Sequence, residues 1–148
     1  MLTSRFFRYL LAFFLSMFIG WAILSVSPVL AAGTMTEIHV SMGTVSGELK
    51  FVPNHLELIT GKPYRLVLDN PSPIKHYFTA KDFADVSWTQ KVEAGNVEIK
   101  GAIHELELKP GAKAQWVLVP MKPGTYELYC SIAGHAKAGM TGEIVILP

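Results

Sequence analysis

The chain has 148 residues, half of them hydrophobic, and a formal net charge of +1 at pH 7. That length holds one compact domain, not two. A near-neutral balance with no block of like charge argues against a nucleic-acid partner, which would need a basic stripe for the phosphates. The one cysteine, Cys130, excludes an internal disulfide.

The apolar residues are concentrated at the start. Arg5 and Arg8 precede a charge-free run over residues 9–26, and the small-residue stretch 29–33 follows. A basic start, an apolar run and an Ala-rich exit are the pattern of a secretory signal, with cleavage expected after Ala31 or Ala32. The two arginines are not adjacent, so a twin-arginine signal is not indicated. The alternative is an uncleaved anchor helix, because 18 apolar residues stand at the lower limit for spanning a bilayer. The expected organisation is therefore a signal or anchor over residues 1–32 and one domain over residues 33–148, placed outside the cytoplasm, in a periplasm or a thylakoid lumen. All 12 acids but only eleven of the 13 bases lie beyond residue 33, which leaves that domain near −1.

Beyond residue 33 the pattern is strand-like. Residues 48–51 alternate polar and apolar, and residues 56–59 do so again after Pro53-Asn54. Residues 60–63 read as a turn, and 64–68 as a β-rich run that ends in the loop Asp69-Asn70-Pro71-Ser72-Pro73. A short helix is expected over residues 80–84, then short strands over 91–93 and 97–100 around the turn Gly95-Asn96. Residues 104–108, 115–119, 125–130 and 144–147 complete the series, separated by Lys109-Pro110-Gly111 and by the Pro- and Gly-containing stretch 120–124. Short strands punctuated by Gly and Pro predict an all-β antiparallel sandwich or barrel. Trp88 and Trp116 are expected in its core or at its rim.

The chemistry concentrates in residues 129–142. Cys130 is followed five positions on by His135 and five further by Met140, on a loop rich in Gly and Ala. A leftover cysteine in an exported protein implies a partner, a metal or a reactive thiol. Thiolate, imidazole and a soft thioether suit copper in both its common oxidation states, whereas zinc would favour further Cys, His or carboxylate over Met. His76, after the loop 70–75, supplies a second imidazole. His39, His55 and His104 have no partner at a recognisable spacing and read as surface or structural. Met35, His39 and Met42 form a weaker candidate for a second copper site.

The stretch from residue 47 to residue 148 resembles the cupredoxins, through Phe51-Val52-Pro53, residues 61–70, His76 and residues 126–142. The Cys-x4-His-x4-Met spacing is similar to that of auracyanin and rusticyanin. The resemblance implies a Greek-key β-sandwich with one type-1 copper at one end. His76, Cys130 and His135 would form the trigonal ligand set, with Met140 axial. It also implies a carrier of single electrons, not an enzyme, that exchanges them with redox proteins through the His135 edge, where Ala133, Gly134, Ala136, Ala138 and Gly139 stand. The sequence departs from the family pattern at Tyr77, where many members place an Asn that steadies the cysteine loop; Asn70 or Ser131 is the candidate substitute. Residues 80–101 match no one member.

Three functions compete on these residues. Electron carriage needs the four ligands and nothing else. Copper handling, as a periplasmic carrier or store, would use the same ligands but exchange the metal. A copper oxidase or nitrite reductase would need a second centre with clustered histidines, and a cysteine hydrolase would give Met140 no role. A monomer is expected, with membrane contact only through an uncleaved N-terminal segment.

Overall fold

The computed structural model describes residues 35–148; the expected signal or anchor lies outside the described residues. In chain order the elements begin with β1 (Thr36–Met42), β2 (Phe51–Val52), β3 (His55–Ile59) and β4 (Tyr64–Asp69). They continue with β5 (His76–Thr79), the short helix α1 (Lys81–Asp85), β6 (Ser87–Ala94) and β7 (Val97–Ile99). The last four are β8 (Glu105–Leu108), β9 (Lys113–Pro120), β10 (Gly124–Tyr129) and β11 (Thr141–Leu147).

These strands form two sheets, one in the order β2-β1-β4-β9-β6-β7 and the other in the order β3-β11-β10-β5-β8. The architecture is the expected Greek-key β-sandwich. It is not purely antiparallel, because β1 runs parallel to β4 and β3 runs parallel to β11. Parallel neighbours need a crossover connection, and here strands of the opposite sheet supply it: the chain passes through β3 between β1 and β4, and through β4, β6, β7 and β9 between β3 and β11.

Alternation decides what faces inward. In β4, Tyr64, Leu66 and Leu68 are buried while Arg65, Val67 and Asp69 are partly open, the period-2 signature of a strand with one face on a core. Leu56, Leu58, Leu128, Ile144 and Ile146 supply the opposing face. Trp116 sits between the sheets, its ring edge-on to Phe78 at 6.2 Å and to Phe83 at 5.7 Å. Its Nε1–H donates to the Thr89 hydroxyl at 3.1 Å, so the one polar atom of the indole is satisfied.

Several local expectations shift. Residues 48–50 are not strand, and only Phe51–Val52 pairs, with β1. The helix runs Lys81–Asp85, one residue later than expected. The strand before Gly95-Asn96 is longer than expected, β6 starting at Ser87. Trp116 is core, but Trp88 is not: it is 61 % exposed. An aromatic in a strand does not say which face it takes, and the register shift between Thr89 and Lys91 scrambles the alternation that would have told.

Candidate metal centre

His76, Cys130, His135 and Met140 all lie at one pole of the sandwich. β10 and β11 pair from Gly124↔Ile146 to Tyr129↔Thr141, so Cys130 and Met140 are the first residues past the ladder on each side. Their backbones still meet, the Cys130 N–H donating to the Met140 carbonyl at 3.1 Å. His135 stands midway along the loop between them. The Met140 N–H donates to the His135 carbonyl at 3.0 Å, and the Ala138 N–H to those of Gly134 and His135 at 3.0 and 3.1 Å. The five-residue spacings are thus those of one compact, turn-filled loop closed at its base.

His76 arrives from the other side. β5 pairs with β10 only at Thr79↔Tyr129. Beyond that pair the two strands part, and the Tyr77 N–H, which a continued ladder would have given to a carbonyl, donates instead to Cys130 Sγ at 3.4 Å. His76 enters this wedge. Its Nδ1 lies 4.0 Å from Cys130 Sγ, and the His135 Nδ1 lies 3.5 Å from the same sulfur. The three donor atoms fall within 4.8 Å of one another. The two imidazole rings stand 5.2 Å apart, tilted by 57°.

Burial differs around the site. His76 and Met140 are fully buried, Cys130 is nearly so, and His135 is half-buried. Burial holds the His76 pKa below the ordinary histidine value, with a smaller contribution from the neighbouring His135. His76 is therefore a neutral imidazole with a free lone pair, the form a metal requires. Its Nε2 has no hydrogen-bond partner in the structure, and its Nδ1 has only the sulfur. A buried imidazole whose Nε2 has no partner and whose Nδ1 meets only a sulfur at 4.0 Å is costly unless something else uses that Nδ1.

Sequence reasoning missed the packing behind His76. Gly43, at φ +79°, backs onto the ring, and a Cβ there would stand 2.8 Å from His76 Nε2 and 2.9 Å from Ser72 Cβ. Only the glycine in its positive-φ turn after β1 hinted at this. Asn70 is fully enclosed: its Nδ2 donates to the carbonyls of Ile74 and Leu108, each at 2.8 Å, and its Oδ1 accepts from the Ser72 N–H at 2.9 Å. Of the two candidates for the missing Asn after His76, Asn70 is the one with a bracing role, and it braces the His76 loop rather than the cysteine loop. Ser131 is exposed.

The spare histidines each meet a carboxylate at the surface: His39 with Glu37, His55 with Glu57 and Glu143, and His104 with Asp85. The candidate second site fails on strand geometry. His39 points outward while Met42 points into the core, as residues an odd number apart on a strand must.

Fold and site together define the class: the chain belongs to the cupredoxins, a family whose cofactor is a type-1 copper. A family model described as a cupredoxin-like domain matches residues 14–146. The chain is similar to the chloroplastic major isoform of plastocyanin from Arabidopsis thaliana, 26% identical over 125 residues, covering 84% of this chain and 68% of that one. It is also similar to the copper-resistant cuproprotein CopI of Rubrivivax gelatinosus, 27% identical over 103 residues, covering 69% and 62%. It thus spans about two thirds of the length of these relatives. Among solved structures, dithionite-reduced auracyanin from Roseiflexus castenholzii superposes with a TM-score of 0.56 at 19% identity, over 78% of this chain and all of that one. A copper-containing nitrite reductase from Thermus scotoductus shares the fold over 31% of its own chain, with a TM-score of 0.57 at 15% identity.

The residues present fit a copper ion. Two imidazole nitrogens and a cysteine sulfur converge, and a thioether-bearing residue stands across the loop base from the cysteine, which is the donor set of an electron-transfer copper site.

Proposed function

We propose that this protein carries single electrons between redox partners, and that His76, Cys130, His135 and Met140 hold its copper. The observation that carries the reading is the convergence of His76 Nδ1, Cys130 Sγ and His135 Nδ1 within 4.8 Å. Copper supplies the one-electron couple, cycling between Cu(I) and Cu(II). The chain's own groups do the rest. Cys130 gives the strong anionic donor, and the Tyr77 N–H draws on its charge. Asn70 and Gly43 fix the buried imidazole from behind. The closed Cys130–Met140 loop fixes the other, so the donors keep their places in both oxidation states. Half-buried His135 is the route to a partner, and the small residues around it leave room for close approach.

The protein is read as exported, with residues 1–32 as the signal or anchor and residues 33–148 as the copper domain in a periplasm or lumen. The resemblance to plastocyanins and auracyanin supports both electron carriage and a non-enzymatic role. The scatter of His39, His55 and His104 supports the latter too, since a copper enzyme needs further clustered ligands. A second reading, copper handling, is favoured by the similarity to CopI. It differs in predicting fast exchange of the metal with an external chelator.

The test is the visible and electron-paramagnetic spectrum after one equivalent of Cu(II). Electron carriage requires an intense thiolate-to-copper band that bleaches with ascorbate and returns on reoxidation. Cys130→Ser should abolish that band. A pale solution with an ordinary Cu(II) signal, or a Cys130→Ser protein that keeps its colour, would refute the site assignment.

A further inference from the structure

The pole opposite the metal carries its own surface. β9 runs between the poles, from Lys113 beside Asn70 to Pro120, so the far rim is roughly 25 Å from the site at the usual rise of a strand. Across that rim the register aligns one row of residues. Thr36↔Tyr64, Tyr64↔Leu118 and Leu118↔Thr89 are successive pairs, and their side chains from Tyr64 onward face the core. One step further out the row is Met35, Pro63, Val119 and Trp88, which alternation turns to the outer face.

This outer row is apolar. Trp88 is 61 % exposed, Met121 beyond it 57 % and Met35 38 %. Val119, paired with Trp88, is on the outer face and nevertheless nearly buried. Lys62 and Lys122 flank the row, adjacent in sequence to Pro63 and Met121, and neither forms an ion pair among the described residues. On α1, which precedes Trp88, Asp85 is held by His104, and Asp82 forms no ion pair among the described residues. The chain also enters the domain in this row, at Met35, directly after residues 1–34 with their charge-free run over 9–26.

We propose that this rim is a lipid-contact surface, which lays the domain on an anionic bilayer and turns the copper pole toward solution. Tryptophan with its amphipathic ring, unbranched methionine and unpaired lysines are the side chains that settle at a headgroup boundary. Lysine stems lie along apolar surface while their ammonium groups reach phosphate. The most lipid-prone stretch of the sequence precedes Met35, where the chain enters the domain at this rim. The inference does not depend on how the copper is bound.

The test uses the full chain in vesicles that contain anionic phospholipid with brominated acyl chains. Trp21 is replaced by Phe, and the Trp88 signal is the difference between that protein and its Trp88→Phe derivative; Trp116 is enclosed and serves as the constant. Trp88 emission should fall roughly twofold in brominated relative to plain vesicles, since a ring at the headgroup–acyl boundary lies within reach of the bromines. Lys62→Glu with Lys122→Glu should restore most of it while leaving the folded domain intact by circular dichroism. Unquenched Trp88 would overturn the proposal. So would emission that is blue-shifted already in buffer free of lipid and detergent, which would mean that another part of the chain or a second copy covers the rim. Equal quenching in the lysine variants would overturn the part assigned to anionic lipid.

Discussion

The two histidines of the centre are held by opposite means. His76 is set by the sandwich: a strand carries it into the core, Asn70 ties its loop to the β8 end, and Gly43, in the turn after β1, backs its ring. His135 is set by its own loop, through hydrogen bonds that span no more than a few residues, and it remains half-buried. One ligand is thus fixed by long-range packing and the other by local turns. Damage on the His76 side should therefore cost folding as well as copper, whereas damage on the His135 side should change access to the metal and little else.

The strongest test of that contrast is Asn70→Ala. It leaves the Ile74 and Leu108 carbonyls and the Ser72 N–H without their partner in a buried setting, and should destabilise the protein by about 3 kcal/mol in urea unfolding of the apo form. Gly43→Ala comes next. The added carbon would press on His76 Nε2 at 2.8 Å and the backbone sits at φ +79°, so a loss of ~2 kcal/mol is expected, together with a shifted copper absorption band. A Gly43→Ala protein with unchanged spectrum and stability would show that His76 is not braced from behind.

His135→Gly should lie on the other side of the comparison. Its stability should change by less than ~1 kcal/mol, while the lost band should return when free imidazole fills the space. Loss of folding here would erase the distinction between the two sides.

The smallest effect belongs to His55, which lies at the surface and outside the centre. Its hydrogen bonds to Glu143 and then to Glu57 raise its pKa above 6.5. A raised folded-state pKa gives stability that is full below the unfolded value and is lost as pH rises through the folded one. Wild type should thus exceed His55→Gln slightly in urea midpoint near pH 5.5, and the two should coincide near pH 8.5. The opposite ordering would mean that the carboxylates do not hold the ring.

The same contrast governs what could be read from sequence. Cys130, His135 and Met140 belong to one short loop, so spacing alone exposed them. The strand run before Asn70 and the breaks at Gly and Pro were equally local, and the sandwich followed from them. His76 needed context from another part of the chain. Gly43 and the carbonyl of Leu108 could not be found at all, because what brings them to His76 is the crossing of strands dozens of residues apart. For Trp88 the choice between core and rim stays open in the sequence for a related reason. Its facing depends on a register irregularity against β9, and no property of its neighbours in the chain encodes that.

The hydrogen bond that Cys130 Sγ accepts from residue 77 has a consequence for substitution. The donor is main chain, so the sulfur is indifferent to which side chain follows His76, and only proline, lacking the N–H, would break the contact. That indifference frees the position. Here it is occupied by a tyrosine whose hydroxyl reaches outward to Glu107. The same position would accept an engineered residue carrying a dye or an electrode linker, which would then be covalently joined to an atom bonded directly to the sulfur's hydrogen-bond donor.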